Sequence, residues 1–224
     1  MAVVVSGSFS PSPAARACSD LKADVASYVN ATNSSRALAK AEDCIRAAVA
    51  RLNTRKWAWS LVYQDITLVA DDADYDLAAP FNYPRKAELL NASGKALAYL
   101  SYRDPQTFTR ENSDRTTSGT PMAYTIDNPH EYGQIVLDVA PGSGFVTTYP
   151  TLRLWYFQKV APCGGSTTSL DVPFEVAEWV AWQAKSLMAG HHDPQKVSMA
   201  RSEAGAMWSD LLRQQVNYET SDWS

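Results

Sequence analysis

The chain has 224 residues, 46% hydrophobic and 20% charged, which rules out a disordered protein and supplies apolar material for one good core or two small ones. A formal net charge of −4 argues against a protein whose work is gripping phosphates, since nucleic-acid affinity comes mainly from clustered Lys and Arg that release counterions. No stretch approaches the ~20 apolar residues of a membrane span, so no membrane role is expected.

The first residues, MAVVVSGSFSPSPAARA, hold an apolar run of only Ala2 to Val5 with no basic residue ahead of it, too little for a secretory signal. Pro13 suits the first position of a helix, because its missing N–H is not needed there, and the pattern predicts a helix to about Val29. NATNSS then breaks it. From Ser35 to Asn53 the apolar residues Leu38, Ala41, Ile45, Ala48 and Leu52 recur at steps of three and four, so they form one stripe of a second helix.

From Trp57 the period changes. WAWSLVYQDITLVA is rich in aromatic and β-branched residues and predicts a strand, closed by the acidic turn DDAD. Further strands are predicted at 86–90, 97–102, 123–126, 134–139 and 151–160, with NASGK as a hairpin connection that has Gly94 at its tip. Asp104 to Pro121 reads as a brief helical turn and a polar loop. Gly133 to Phe157 reads as two strands joined by a Pro-Gly-Ser-Gly loop.

Pro173 opens a further helix with Glu175 and Glu178 in its first turns, the charge that suits the positive end of the helix dipole. Gly190 is placed to end it, and Asp193 and Pro194 supply an N-cap and first position for the next helix. The expected fold class is α+β: a four-helix domain, made of two N-terminal helices and a C-terminal helical hairpin, with an inserted antiparallel β-sandwich or small barrel. The expected division is 1–56 for the N-terminal helices, 57–162 for the inserted β domain, 163–217 for the hairpin and 218–224 for a C-terminal arm.

Catalytic chemistry has little to draw on. The three histidines are His130, His191 and His192; the last two, with Asp193, invite a metal reading, but a helix C-terminus followed by an N-cap explains them as well. Asp71 to Asp76 is read as a solvated turn, because its spacing fits no EF-hand loop. CGGST at Cys163 to Thr167 lacks the Lys and spacing of a phosphate loop, and PGSG has the wrong frame for a nucleophile elbow. Cys18, Cys44 and Cys163 lie far apart, with no zinc-knuckle or redox-dithiol spacing, so a cytosolic folding compartment is expected. No enzyme activity, cofactor or metal is expected.

The aromatics remain. A sugar platform would make the β block a carbohydrate-binding module. In a strand, however, Leu152, Leu154 and Tyr156 point to one face and Arg153, Trp155 and Phe157 to the other, so both faces are largely apolar and burial or protein contact follows more naturally. Trp179 and Trp182, three apart on a helix, are placed at the edge of its core stripe, where tryptophans often mark an interface.

Several short stretches run in a suggestive order: Tyr75-Asp76-Leu77 with Pro84-Arg85 after the first long strand, Ser118-Gly119-Thr120-Pro121-Met122-Ala123-Tyr124 before the next, Ile135-Val136-Leu137 leading to Pro141, then Leu152-Arg153-Leu154-Trp155-Tyr156, and Val172-Pro173 at the start of an alanine-rich helical hairpin. Over about Trp57 to Asn217 the chain resembles a head-to-tail adaptor (connector) protein of tailed bacteriophages. The resemblance implies a structural virion protein of the phage neck, assembled in the host cytoplasm. It would form a dodecameric homo-oligomer ring beneath the portal protein, continue the DNA channel without sequence-specific binding of the genomic DNA, and attach tail or neck proteins. Another neck or tail ring component, such as a stopper or tail-tube protein, would fit the same residues. The candidate contacts with the portal or a neighbouring subunit are Tyr218, Trp223, Trp155, Phe157, Trp179 and Trp182.

Overall fold

A computed structural model describes residues 16–32, 34–111, 117–127 and 133–221, with 216–221 as backbone only. Pro13, Asn33 and His130 lie outside the described residues. The chain divides into two compact units: a sheet unit of residues 60–159, and a helical unit whose described residues are 16–59 and 160–221.

The helical unit holds α1 (Cys18–Tyr28), α2 (Ser35–Leu52), α5 (Phe174–His192) and α6 (Val197–Ser221), with a small antiparallel pair of β1 (Arg16–Ala17) and β11 (Ser169–Leu170). Helix α5 packs against α1, α2 and α6. The stripe expected in α2 is the one that is buried, Ala41, Ile45, Ala48 and Leu52, and it meets Leu21 and Val25 of α1 and Val176, Val180 and Ala184 of α5 in a single cluster. Ser34 caps α2, its hydroxyl accepting from the Ala37 N–H at 3.3 Å, which satisfies one of the free donors of the first turn. Ion pairs tie the two chain segments together: Arg16 reaches Asp24 and Glu178, both at 2.7 Å, and Lys185 reaches Asp24 at 2.9 Å.

Three expectations need correction here. Cys18 and Cys163 form a disulfide, with Cα atoms 5.6 Å apart across a sequence separation of 145, while Cys44 is free and buried. Spacing hides such a pair, because the β1–β11 pairing is what brings the two segments together. Helix α5 runs through Gly190 to His192 instead of ending at the glycine. Asp193 makes no capping bond with its side chain, which pairs with Lys196 at 3.5 Å, and Pro194 opens a short 3₁₀ turn that runs into α6.

The sheet unit contains β2 (Leu61–Thr67), β3 (Asp74–Asp76), β4 (Phe81–Leu90), β5 (Ala96–Tyr102), α3 (Pro105–Glu111), β6 (Ser118–Gly119), β7 (Ala123–Asp127), β8 (Gln134–Leu137), β9 (Ala140–Pro141), α4 (Ser143–Thr148) and β10 (Thr151–Gln158). Seven strands form one curled sheet, a half-barrel in the order β2-β10-β4-β5-β7-β8-β3, antiparallel except for β5–β7. The short parallel pair β6–β9 stands apart from it. The fold class is α+β as expected; of the sandwich or small barrel expected for the β part, the curled sheet is half of a barrel, and it is mixed where an antiparallel one was expected.

Gln64 draws the two ends of this sheet together. Its side chain is only 2% exposed; the amide nitrogen donates to the Asp76 carbonyl at 3.2 Å and the amide oxygen accepts from the Ala78 N–H at 2.8 Å. One side chain on β2 thus stands in for a rung between β2 and the β3 segment.

The Gly133–Phe157 stretch is not a hairpin. β8 pairs with β7 and β3, β10 pairs with β4 and β2, and α4 lies between them. In α4 the Thr147 and Thr148 hydroxyls donate to the carbonyls of Ser143 and Gly144, and Phe145 and Tyr149, four apart, meet with tilted rings at 5.0 Å and pack the turn against the sheet core.

Candidate assembly surfaces

Alternation along β10 sets up the first surface. Leu152, Leu154 and Tyr156 are buried in the sheet core with Ile66, Leu89 and Ile135, while Arg153, Trp155 and Phe157 are half-exposed on the outer face. One face is therefore core and the other meets solvent, against the expectation that neither would. The outer residues are laced across three strands. Trp155 lies opposite Tyr63 of β2 and Lys86 of β4, and Arg153 opposite Asp65 and Glu88.

These pairs make direct bonds. Arg153 Nε and Nη2 donate to the two Asp65 carboxylate oxygens at 2.6 and 2.7 Å, and its guanidinium stands 4.6 Å from the centre of the Tyr63 ring. The Asp65 hydrogen bond holds Arg153 in its charged form, raising its pKa. Tyr63 and Trp155 meet at 4.9 Å, Lys86 Nζ sits 5.3 Å from the Trp155 ring, and the indole N–H donates to Glu88 Oε2 at 2.7 Å. Glu88 is 8% exposed, and its other oxygen accepts from Lys86 at 2.8 Å, so this buried carboxylate is fully engaged. Tyr99 of β5, opposite Glu88, extends the same face and is 65% exposed; Leu97 is exposed two residues before it. The arrangement is a rigid aromatic and charged plate, suited to protein contact because its members are already ordered before binding.

The helical unit separates the two tryptophans expected at an interface. Trp179 is 1% exposed, stacked on Trp208 at 4.5 Å within the core, so an edge position was the wrong expectation for it. Trp182 is half-buried, with Tyr28 edge-on at 5.9 Å and Lys185 Nζ 4.6 Å from its ring. Trp208, which the sequence did not single out, is the hub: Trp57 meets it edge-on at 5.3 Å, and Arg51 and Arg55 each stand 5.5 Å from its ring. Its signal was the shared spacing of Ala200, Ala204, Trp208 and Leu211 along α6, which puts it beside the stripe. The Trp223 and Tyr218 side chains lie outside the described residues.

The acidic segment expected as a turn bends at Asp71 and continues as β3. Asp72 Oδ1 accepts from the Asp74 N–H at 3.3 Å, its carbonyl accepts from the Tyr75 hydroxyl at 2.6 Å, and Asp71 holds a φ of +64°. Among the described residues no group of three or more His, Cys, Asp or Glu is placed to hold a metal ion. Nor is any described helix long and apolar enough to cross a membrane.

Comparison with known families gives the class of this α+β chain as a phage adaptor. The model of the SU10 adaptor protein family matches residues 16–224, and the chain belongs to that family. No curated protein sequence matches it. Membership makes it a structural virion component, which interacts with phage portal and tail proteins.

Proposed function

We propose that this adaptor assembles as a dodecameric ring beneath the portal, extends the DNA channel below it and presents the attachment surface for the tail. Family membership over residues 16–224 is the observation that carries the reading. A ring needs two different patches on each copy that meet head to tail and close. The outer sheet face around Trp155, Phe157 and Tyr99 is one such patch, the half-buried Trp182 is part of a second, and the 218–224 arm is a contact with the portal or an adjacent subunit. The net charge of −4 suits a channel through which DNA slides, since strong phosphate binding would hold it in place.

The test is assembly on the cognate portal. Purified adaptor mixed with portal and viewed by electron microscopy should give a symmetric ring seated on it, and removing residues 218–224 should weaken attachment while leaving the circular dichroism spectrum unchanged. Adaptor that stays monomeric and unattached in the presence of portal sinks the proposal.

A further inference from the structure

The helical unit has an open groove of about 450 Å³ between α5 and α6, with the end of α2 at its rim. Trp179 and Trp208 line it, and small residues keep it open: a Cβ placed on Gly190 or Gly205 would meet nothing within 4 Å. Arg51 and Arg201 also line it, and Arg55 joins Arg51 over the Trp208 ring. None of these three arginines pairs with a carboxylate among the described residues. The groove therefore offers the half-buried Trp208 ring with Trp179 buried behind it, space for a large side chain and unneutralised positive charge.

The stretch from Tyr218 to Ser224 has the complementary chemistry. It carries Glu219 and Asp222, no Lys or Arg, and the aromatics Tyr218 and Trp223. An acidic peptide with an aromatic anchor is what a cationic, tryptophan-lined groove selects, through cation–π contact and charge together. We propose that this groove receives the 218–224 segment of a neighbouring copy, with Trp223 in the space beside Gly205 and the acidic residues against Arg51, Arg55 and Arg201.

Reach decides that the donor is a neighbour. Helix α6 continues from Gly205 to Ser221, which carries the chain about 24 Å away from the groove at 1.5 Å per residue. Trp223 follows two residues later, worth only ~7 Å of extended chain, so it cannot return to the groove of its own copy. In the proposed ring the segment is therefore given to the next subunit. Each copy then gives an arm and receives one, which is the head-to-tail arrangement that closes.

The inference rests on the ring reading above, and the experiment separates the two. Cysteines are placed by Gly205→Cys and Ser224→Cys in the full chain, which leaves the Trp223 anchor intact, the ring is assembled on the portal, and the sample is oxidised and run without reductant. Ladders of linked adaptor chains are expected, and none when Gly144→Cys, which also has open space around it, replaces Gly205→Cys. In parallel, Gly205→Leu fills the groove; Leu outranks Gly in a helix, so the monomer should melt no lower, while ring yield on the portal falls several-fold. A ring that forms normally with no adaptor–adaptor links, or with links from residue 224 to the portal instead, overturns the groove and leaves the ring reading standing. Absence of any ring removes both.

Discussion

At the scale of single residues, two buried polar groups in the sheet unit make opposite contributions. Gln64 spends both ends of its amide on backbone groups of the β3 segment, so Gln64→Ala leaves the Asp76 carbonyl and the Ala78 N–H without that partner and opens the curl. The expected cost is about 2 kcal/mol, measured by urea denaturation. A midpoint within error of the wild type would show that the curl does not depend on this side chain. Tyr124 is the reverse case: its hydroxyl is buried and has no hydrogen-bond partner among the described residues, and burial raises its pKa. Tyr156 is pushed up to about 12 by burial, from an ordinary value of 10.0. A phenol whose folded pKa is raised holds its proton in the folded state after the unfolded chain has lost it. Its stabilising contribution is therefore complete below pH 10 and declines as pH rises through the folded value. Tyr124→Phe should match or exceed the wild-type midpoint at pH 7 and flatten the alkaline decline. A lower midpoint at pH 7 would mean the hydroxyl has a bonding partner after all.

At the scale of elements, the disulfide is the clearest single determinant. The helical unit is built from two stretches of chain separated by the whole sheet unit, and Cys18–Cys163 joins them beside the β1–β11 pair. Closing a loop of this length restricts the unfolded chain, and removal should cost about 3 kcal/mol. The Cys18→Ala, Cys163→Ala double variant should thus melt several degrees lower than the oxidised protein and should equal the wild type under dithiothreitol. Equal midpoints with and without reductant would show that the two helical segments hold together without the bond. Neighbouring Gly164 adds a local constraint, since its φ is +127° and a Cβ there would meet Glu42 Oε1 at 2.6 Å. The legible elements were those with a local signature: the α2 stripe, the β-branched run that became β2, the Asn91–Gly94 turn between β4 and β5, and the Pro173 start of α5. What stayed hidden was set by partners distant in sequence. A two-residue β1 has no pattern to detect, β3 is disguised by its acidic composition, and α4 lies in a stretch full of turn residues whose packing of Phe145 and Tyr149 on the sheet core has no local signature.

At the scale of the molecule, the same division holds for the candidate surfaces. Parity along β10 correctly put Trp155 and Phe157 on one face, but the sequence could not say that this face is open, because that follows from how strands β2, β4 and β5 are ordered around it. Trp179 misled for a related reason: three-residue spacing placed it at the edge of a stripe, and α6, through Trp208, covers that edge. The outer sheet face can be tested as a contact without confusing contact with stability. Trp155→Ala would also strip the indole N–H from buried Glu88, so a loss of assembly there would be ambiguous. Tyr99 lies on the same face, is 65% exposed and takes no part in that network. Tyr99→Lys, whose charge does not repel Glu88 across the strand pair, should change the folding free energy by no more than about 0.5 kcal/mol, as exposed substitutions usually do. If the plate meets another subunit or the portal, a new charge desolvated at its centre should lower the yield of rings on the portal by an order of magnitude or more, because Glu88 is already engaged by Trp155 and Lys86 and leaves the new charge without a compensating bond. Sedimentation of the mixed components measures the yield, and a normal yield with Tyr99→Lys would remove this face from the assembly and leave the helical unit to supply both patches.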